Sequence, residues 1–76
     1  MNKKRKAQVQ SVIKDIIVCA DSLSSIREEE DDARDSMPEN LEGSERYSYS
    51  EECSEAIDTA ESSLRDIAQE LEDSLS

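Results

Sequence analysis

The sequence predicts an all-α fold: an antiparallel two-helix hairpin that assembles into a homo-oligomeric helical bundle. Three observations carry this expectation. The only proline and the only glycine of the 76 residues, Pro38 and Gly43, fall within one short window at the middle of the chain. Two helix breakers in one place and none elsewhere describe two long elements and one connection. Apolar residues recur at alternating spacings of three and four on both sides of that window, the period of a helix packed along one seam. A second apolar line runs beside the first, and a stripe wider than one seam expects more than one partner.

The first helix is expected over about 4–36. Its seam reads Val9, Val12, Ile16, Cys19, Leu23, Ile26, Glu30, Ala33 and Met37, with Glu30 as the one polar defect. Glu30 has Arg34 four residues on, in the favourable order for an ion pair, and a buried polar seam residue can fix register. The connection is expected over about 37–44. Pro38 stops the first helix, Asn40 or Gly43 takes the left-handed conformation, and Leu41 plugs the end of the bundle. Arg46 stands near Glu39 and Glu42 to neutralise one of them. The second helix is expected over about 45–74, with the seam Cys53, Ile57, Ala60, Leu64, Ile67 and Leu71. Ser44 is one candidate cap for it, and Ser48 with Glu51 is the rival capping box.

A tight connection makes the two helices antiparallel. Setting Met37 against Tyr49 brings Ala33 level with Cys53, Ile26 with Ala60, Leu23 near Leu64 and Cys19 near Ile67. Cys19 and Cys53 then lie roughly 20 Å apart along the hairpin, too far for a disulfide. They are expected as reduced core thiols, in keeping with a cytoplasmic protein. The second apolar line, Ile13, Ile17 and Ala20 on the first helix with Ala56, Ala68 and Leu75 on the second, is the expected contact between copies. A chain this short, with two tyrosines as its only aromatics, buries little surface alone.

Charge is unevenly placed. Five cations, Lys3, Lys4, Arg5, Lys6 and Lys14, precede the first acid, and all 20 acids follow, giving a net charge of -11. Such a body repels nucleic acid, and the basic start reads as a solvated first turn. No apolar run approaches the roughly 18 residues of a membrane span. The run Ile16-Ile17-Val18-Cys19-Ala20 is interrupted upstream by Lys14 and Asp15 and does not make a signal peptide. The chain contains no histidine, which removes the commonest general base and metal ligand. No serine sits in a nucleophile-elbow context. The acidic run Glu28-Glu29-Glu30-Asp31-Asp32 points around the whole helix instead of converging on a cation. The expectation is a protein that is not an enzyme and holds no metal or cofactor.

The residues best suited to a ligand cluster at the connection. Asn40, Ser44, Arg46 and Tyr47 offer an amide, a hydroxyl, a guanidinium and an aromatic ring, and Arg34 lies one turn before. Guanidinium, ring and helix N-terminus together can cradle an anion. The competing reading of the same residues is purely structural.

The segment Asp35-Ser36-Met37-Pro38-Glu39-Asn40-Leu41-Glu42-Gly43-Ser44-Glu45-Arg46-Tyr47 resembles the loop of a group of small proteins of phages and prophages of Gram-positive bacteria. The Asn2-Lys3-Lys4-Arg5 start, the acidic end of the first helix and the second helix rich in Ala, Ile, Leu and Glu extend the likeness. The resemblance implies a phage origin and a helical hairpin. By analogy, a small, non-enzymatic, oligomeric protein of that origin is expected in the bacterial host cytoplasm, in accessory or counter-defence work. Two mechanisms are compatible with that setting. In the leading one, the oligomer sequesters a small anionic, nucleotide-type signal at Arg34, Asn40, Ser44, Arg46 and Tyr47. In the alternative, the acidic helical surface binds a host or defence protein and mimics the charge of DNA.

Overall fold

The computed structural model describes residues 1–38, 40 and 43–76, and among them there are two α-helices and no strand. The roles expected of Glu39, Leu41 and Glu42 lie outside the described residues. Helix α1 spans Lys3–Asp35 and helix α2 spans Glu45–Leu75. They pack side by side into a rod with extents of 60 × 14 × 14 Å. Its radius of gyration, 17.4 Å, far exceeds the ~11 Å of a globular chain of this length.

Each helix begins at a side-chain cap. The Asn2 carboxamide oxygen accepts from the Arg5 amide at 2.8 Å, and the Ser44 hydroxyl accepts from the Tyr47 amide at 3.2 Å. Both satisfy an N–H that the first helical turn leaves without a partner. Ser44 therefore starts α2, and the Ser48–Glu51 alternative falls inside the helix. Helix α1 ends at Ser36, whose amide returns to the carbonyls of Asp32 and Arg34. Gly43, and not Asn40, supplies the left-handed residue, with φ at +81°.

Cross-helix contacts fix the register. Arg27 meets Asp58 and Glu61, Arg65 meets Asp21, and Arg34 meets Ser50 and Ser54. This is the pairing set by placing Met37 against Tyr49, so Ala33 is level with Cys53, Ile26 with Ala60 and Cys19 with Ile67.

The seam itself differs from the expected one. On α1 the inward residues are Val9, Ile13, Ile16, Ala20, Leu23, Arg27, Glu30 and Arg34, with Met37 following just beyond its end. On α2 they are Tyr47, Ser50, Ser54, Ile57, Glu61, Leu64, Ala68, Leu71 and Leu75. Every second seam position is thus shifted by one residue from the expected line. Val12, Cys19, Ile26 and Ala33 are exposed where Ile13, Ala20, Arg27 and Arg34 turn inward. On α2, Ser54, Glu61 and Ala68 replace Cys53, Ala60 and Ile67. Four of these seven places are polar, and Arg27, Arg34, Ser54 and Glu61 hold them because they bring partners from the facing helix, a gain that apolar spacing alone does not reveal. Ile13 and Ala20 are buried inside the hairpin, Ile17 is half-buried, and Cys19 is an exposed thiol, not a core one.

The core is correspondingly thin. Ile13, Ala20 and Ala68 are its buried apolar residues among those described, and no large side chain is fully enclosed. Ala20 and Ala68 let the backbones approach, while Ile16, Leu23, Ile57, Leu64, Leu71 and Leu75 remain half-covered.

Candidate functional site

The closed end of the hairpin, next to the connection, gathers most of the polar chemistry. Arg34 enters the seam from the last turn of α1. Its guanidinium donates to Ser50 Oγ at 3.2 Å, to Ser54 Oγ at 3.0 Å and to Asp31 Oδ1 at 2.8 Å. Ser54 in turn donates to Asp31 Oδ1 at 2.7 Å, and Ser50 donates to Glu30 Oε1 at 2.8 Å. Two serines without bulk let the guanidinium lie between the helices, and two carboxylates close the network. Glu30 is the polar seam residue that the spacing points to. Its partner is Ser50, however, and Arg34 pairs with Asp31 one turn back.

The electrostatics follow from these bonds. The hydroxyl of Ser54 and the guanidinium of Arg34 hold the Asp31 carboxyl below its ordinary range. The same Asp31 contact pushes Arg34 further up. Arg65 is raised by hydrogen bonds to Asp21 and Glu61. All three groups are held in their charged forms, as structural ion pairs require.

The candidate ligand residues do not converge. Arg34 is committed to the seam network. Ser44 caps α2, and Tyr47 is half-buried at the head of the α2 seam. Asn40 and Arg46 are exposed. Arg46 reaches an open recess bounded by Ala33, Met37, Pro38 and Tyr49. Tyr49, which the ligand reading passed over, supplies the exposed ring there, and its phenol is pushed up by the neighbouring Cys53 thiol. The serines of the network were equally hidden in the sequence. Their signal is that Ser50 and Ser54 continue the 3-4 spacing of Tyr47, Ile57 and Leu64 as small polar residues opposite an arginine.

Outside this end, the two flanks of the rod differ. One flank carries Asp21, Arg27, Asp58, Glu61 and Arg65 in a ladder of ion pairs with separations of 2.9 to 3.6 Å. The other carries Val12, Cys19, Ile26, Ala33, Cys53, Ala60 and Ile67. Among the described residues no acidic or cysteine side chains cluster as a metal ion would need, and no helix is long and apolar enough to cross a membrane.

Comparison with protein-family models, with curated proteins and with solved structures gives no match to this chain.

Proposed function

We propose that the chain is an acidic binding module that docks on a basic surface of a partner protein. One observation carries the reading: where the arginines point. After Lys14 the chain has four cations against its 20 acids. Three of them, Arg27, Arg34 and Arg65, are tied to carboxylates of the hairpin itself. The acids left on the outside, among them Glu28, Glu29, Asp32, Asp35, Glu51, Glu52 and Glu55, are exposed. A rod studded with carboxylates steers toward cationic surfaces and away from nucleic acid. The likeness of the loop to small phage proteins supports a counter-defence setting, in which a basic nucleic-acid-binding host protein is the natural class of target.

Sequestration of a nucleotide-type signal retains a single feature, the recess beside Arg46 and Tyr49. It has one cation, whereas holding a polyphosphate calls for several charge-assisted donors.

The test is affinity capture from bacterial lysate on immobilised wild-type hairpin and on a Glu28→Gln, Glu29→Gln, Asp32→Asn variant. Calorimetry against cyclic and linear nucleotides runs beside it. The expected result is a basic protein retained by the wild type, lost on the variant and released as salt rises. Equal recovery on both resins would overturn the reading. So would nucleotide binding that Arg46→Ala abolishes.

A further inference from the structure

The apolar flank is more ordered than a scatter of exposed aliphatics. On α1 it consists of Val12, Cys19, Ile26 and Ala33, and on α2 of Cys53, Ala60, Ile67 and Ser74, each set at a strict seven-residue repeat. The register makes these two sets level with each other, so the flank is a strip of four rungs. Each rung crosses from α1 to α2: Val12 to Ser74, Cys19 to Ile67, Ile26 to Ala60, and Ala33 to Cys53. Val12 and Ile26 are half-exposed at 50%, and Ile67 at 46%. No charge interrupts the rungs, in a chain where 38% of residues are charged.

We propose that this strip is the face on which a second copy of the chain docks, head to tail, to close a four-helix bundle. Two properties of the rod select that occupant. The first is size. Consider a two-fold axis crossing the strip between Cys19 and Ile26 on α1 and between Ala60 and Ile67 on α2. It sets Val12 over Ala33 of the second copy, Cys19 over Ile26, Ala60 over Ile67 and Cys53 over Ser74. Every one of the three large side chains meets a small one, as knobs meet holes. One axis satisfies both helices because the register places its two crossing points at the same height. A surface shaped for an unrelated helix has no reason to be complementary to itself.

The second property is charge, and it sets the direction. At the terminal end of the rod the five cations of the first 14 residues outnumber Glu70, Glu72 and Asp73 of the adjoining α2 turns, so that end is net positive. The other end of the rod carries Glu28, Glu29, Asp32, Asp35, Glu51, Glu52 and Glu55 on its exterior. A parallel dimer also matches large with small, but it stacks basic end on basic end and acidic on acidic. The head-to-tail dimer places each basic end beside the acidic end of its neighbour, which relieves the repulsion that a net charge of -11 would otherwise oppose to association. The ion-paired flank remains outside.

Sedimentation equilibrium and one cross-link test the proposal. Wild-type protein is expected to be a dimer at micromolar concentration, with an affinity that falls as salt rises. Combined Ile26→Glu and Ile67→Glu should weaken the dimer at least ~100-fold, since each replacement removes its burial in both copies. Should that variant unfold, the cross-link still decides. In a Cys19→Ser background, Ser74→Cys faces Cys53 of the second copy only if the dimer runs head to tail. Within one helix these positions lie about 30 Å apart, beyond a short bis-maleimide. The expected product is a covalent dimer from Cys19→Ser, Ser74→Cys and none from Cys19→Ser alone. A folded wild-type monomer at 100 μM, a role for the strip in binding a different protein, or a dimer that fails to cross-link would each overturn the proposal.

Discussion

At the scale of single residues, Arg34 is the group on which the closed end depends. Its guanidinium is the common donor for Ser50, Ser54 and Asp31. Arg34→Ala takes the shared donor away from the buried Ser50 and Ser54 hydroxyls and should lower the melting temperature by ~5 °C, read by circular dichroism. Arg34→Lys should rescue only part of this, because an ammonium cannot fork to three acceptors in one plane. The Asp31 contribution has a defined pH dependence. Its carboxyl titrates lower in the folded chain than in the unfolded one. The stabilisation is therefore complete above the unfolded value, about 4, and is lost as pH falls through the lower folded value. Protonation of the other acids relieves repulsion over the same range, so the comparison with Asp31→Asn isolates the effect. Between pH 5 and pH 2 the wild type should lose its advantage over that variant. An unchanged difference would show that the network does not form in solution. None of this was visible as a site in the sequence. Ser50 and Ser54 look like surface serines until the facing arginine is placed against them.

At the scale of elements, the punctuation was legible and the rotation of the helices was not. Pro38, Gly43 and Ser44 mark the connection by backbone chemistry that is local to each residue. The register followed from the length of that connection. The seam needed information from the opposite helix, because Arg27 and Glu61 are seam residues only as a pair. Hydrophobic spacing assigns such positions to solvent and promotes their apolar neighbours in their place. Two substitutions probe this level. Ile13→Ala should cost about 2 kcal/mol or more, as a large-to-small change in a packed seam. Val18→Ala, on an exposed position, should stay within about 0.5 kcal/mol. Equal effects of the two in urea titrations would contradict the observed rotation of α1. Gly43→Ala meets no steric neighbour within 4 Å, but must hold φ at +81°. It should destabilise the hairpin by about 1 kcal/mol, and an unchanged urea midpoint would show that the left-handed turn is not retained.

At the scale of the whole molecule, a 60 × 14 × 14 Å rod with three buried apolar residues among those described has little interior of its own. Its stability should accordingly depend on protein concentration, rising wherever a second copy covers the apolar strip. The distribution of what interior there is has a further consequence. Towards the chain termini the seam is aliphatic, with Ile13, Ala20, Ala68 and Leu71. Towards the connection it is a lattice of Arg34, Glu30, Asp31, Ser50 and Ser54. Aliphatic burial weakens on cooling, whereas charge-assisted contacts weaken in acid and, where solvent reaches them, in salt. One rod thus has two thermodynamically distinct halves, each with its own solvent stress. Amide exchange near 0 °C should open the terminal half first, and exchange at low pH and high salt should open the half next to the connection. The same molecule would unzip from opposite ends according to how it is provoked.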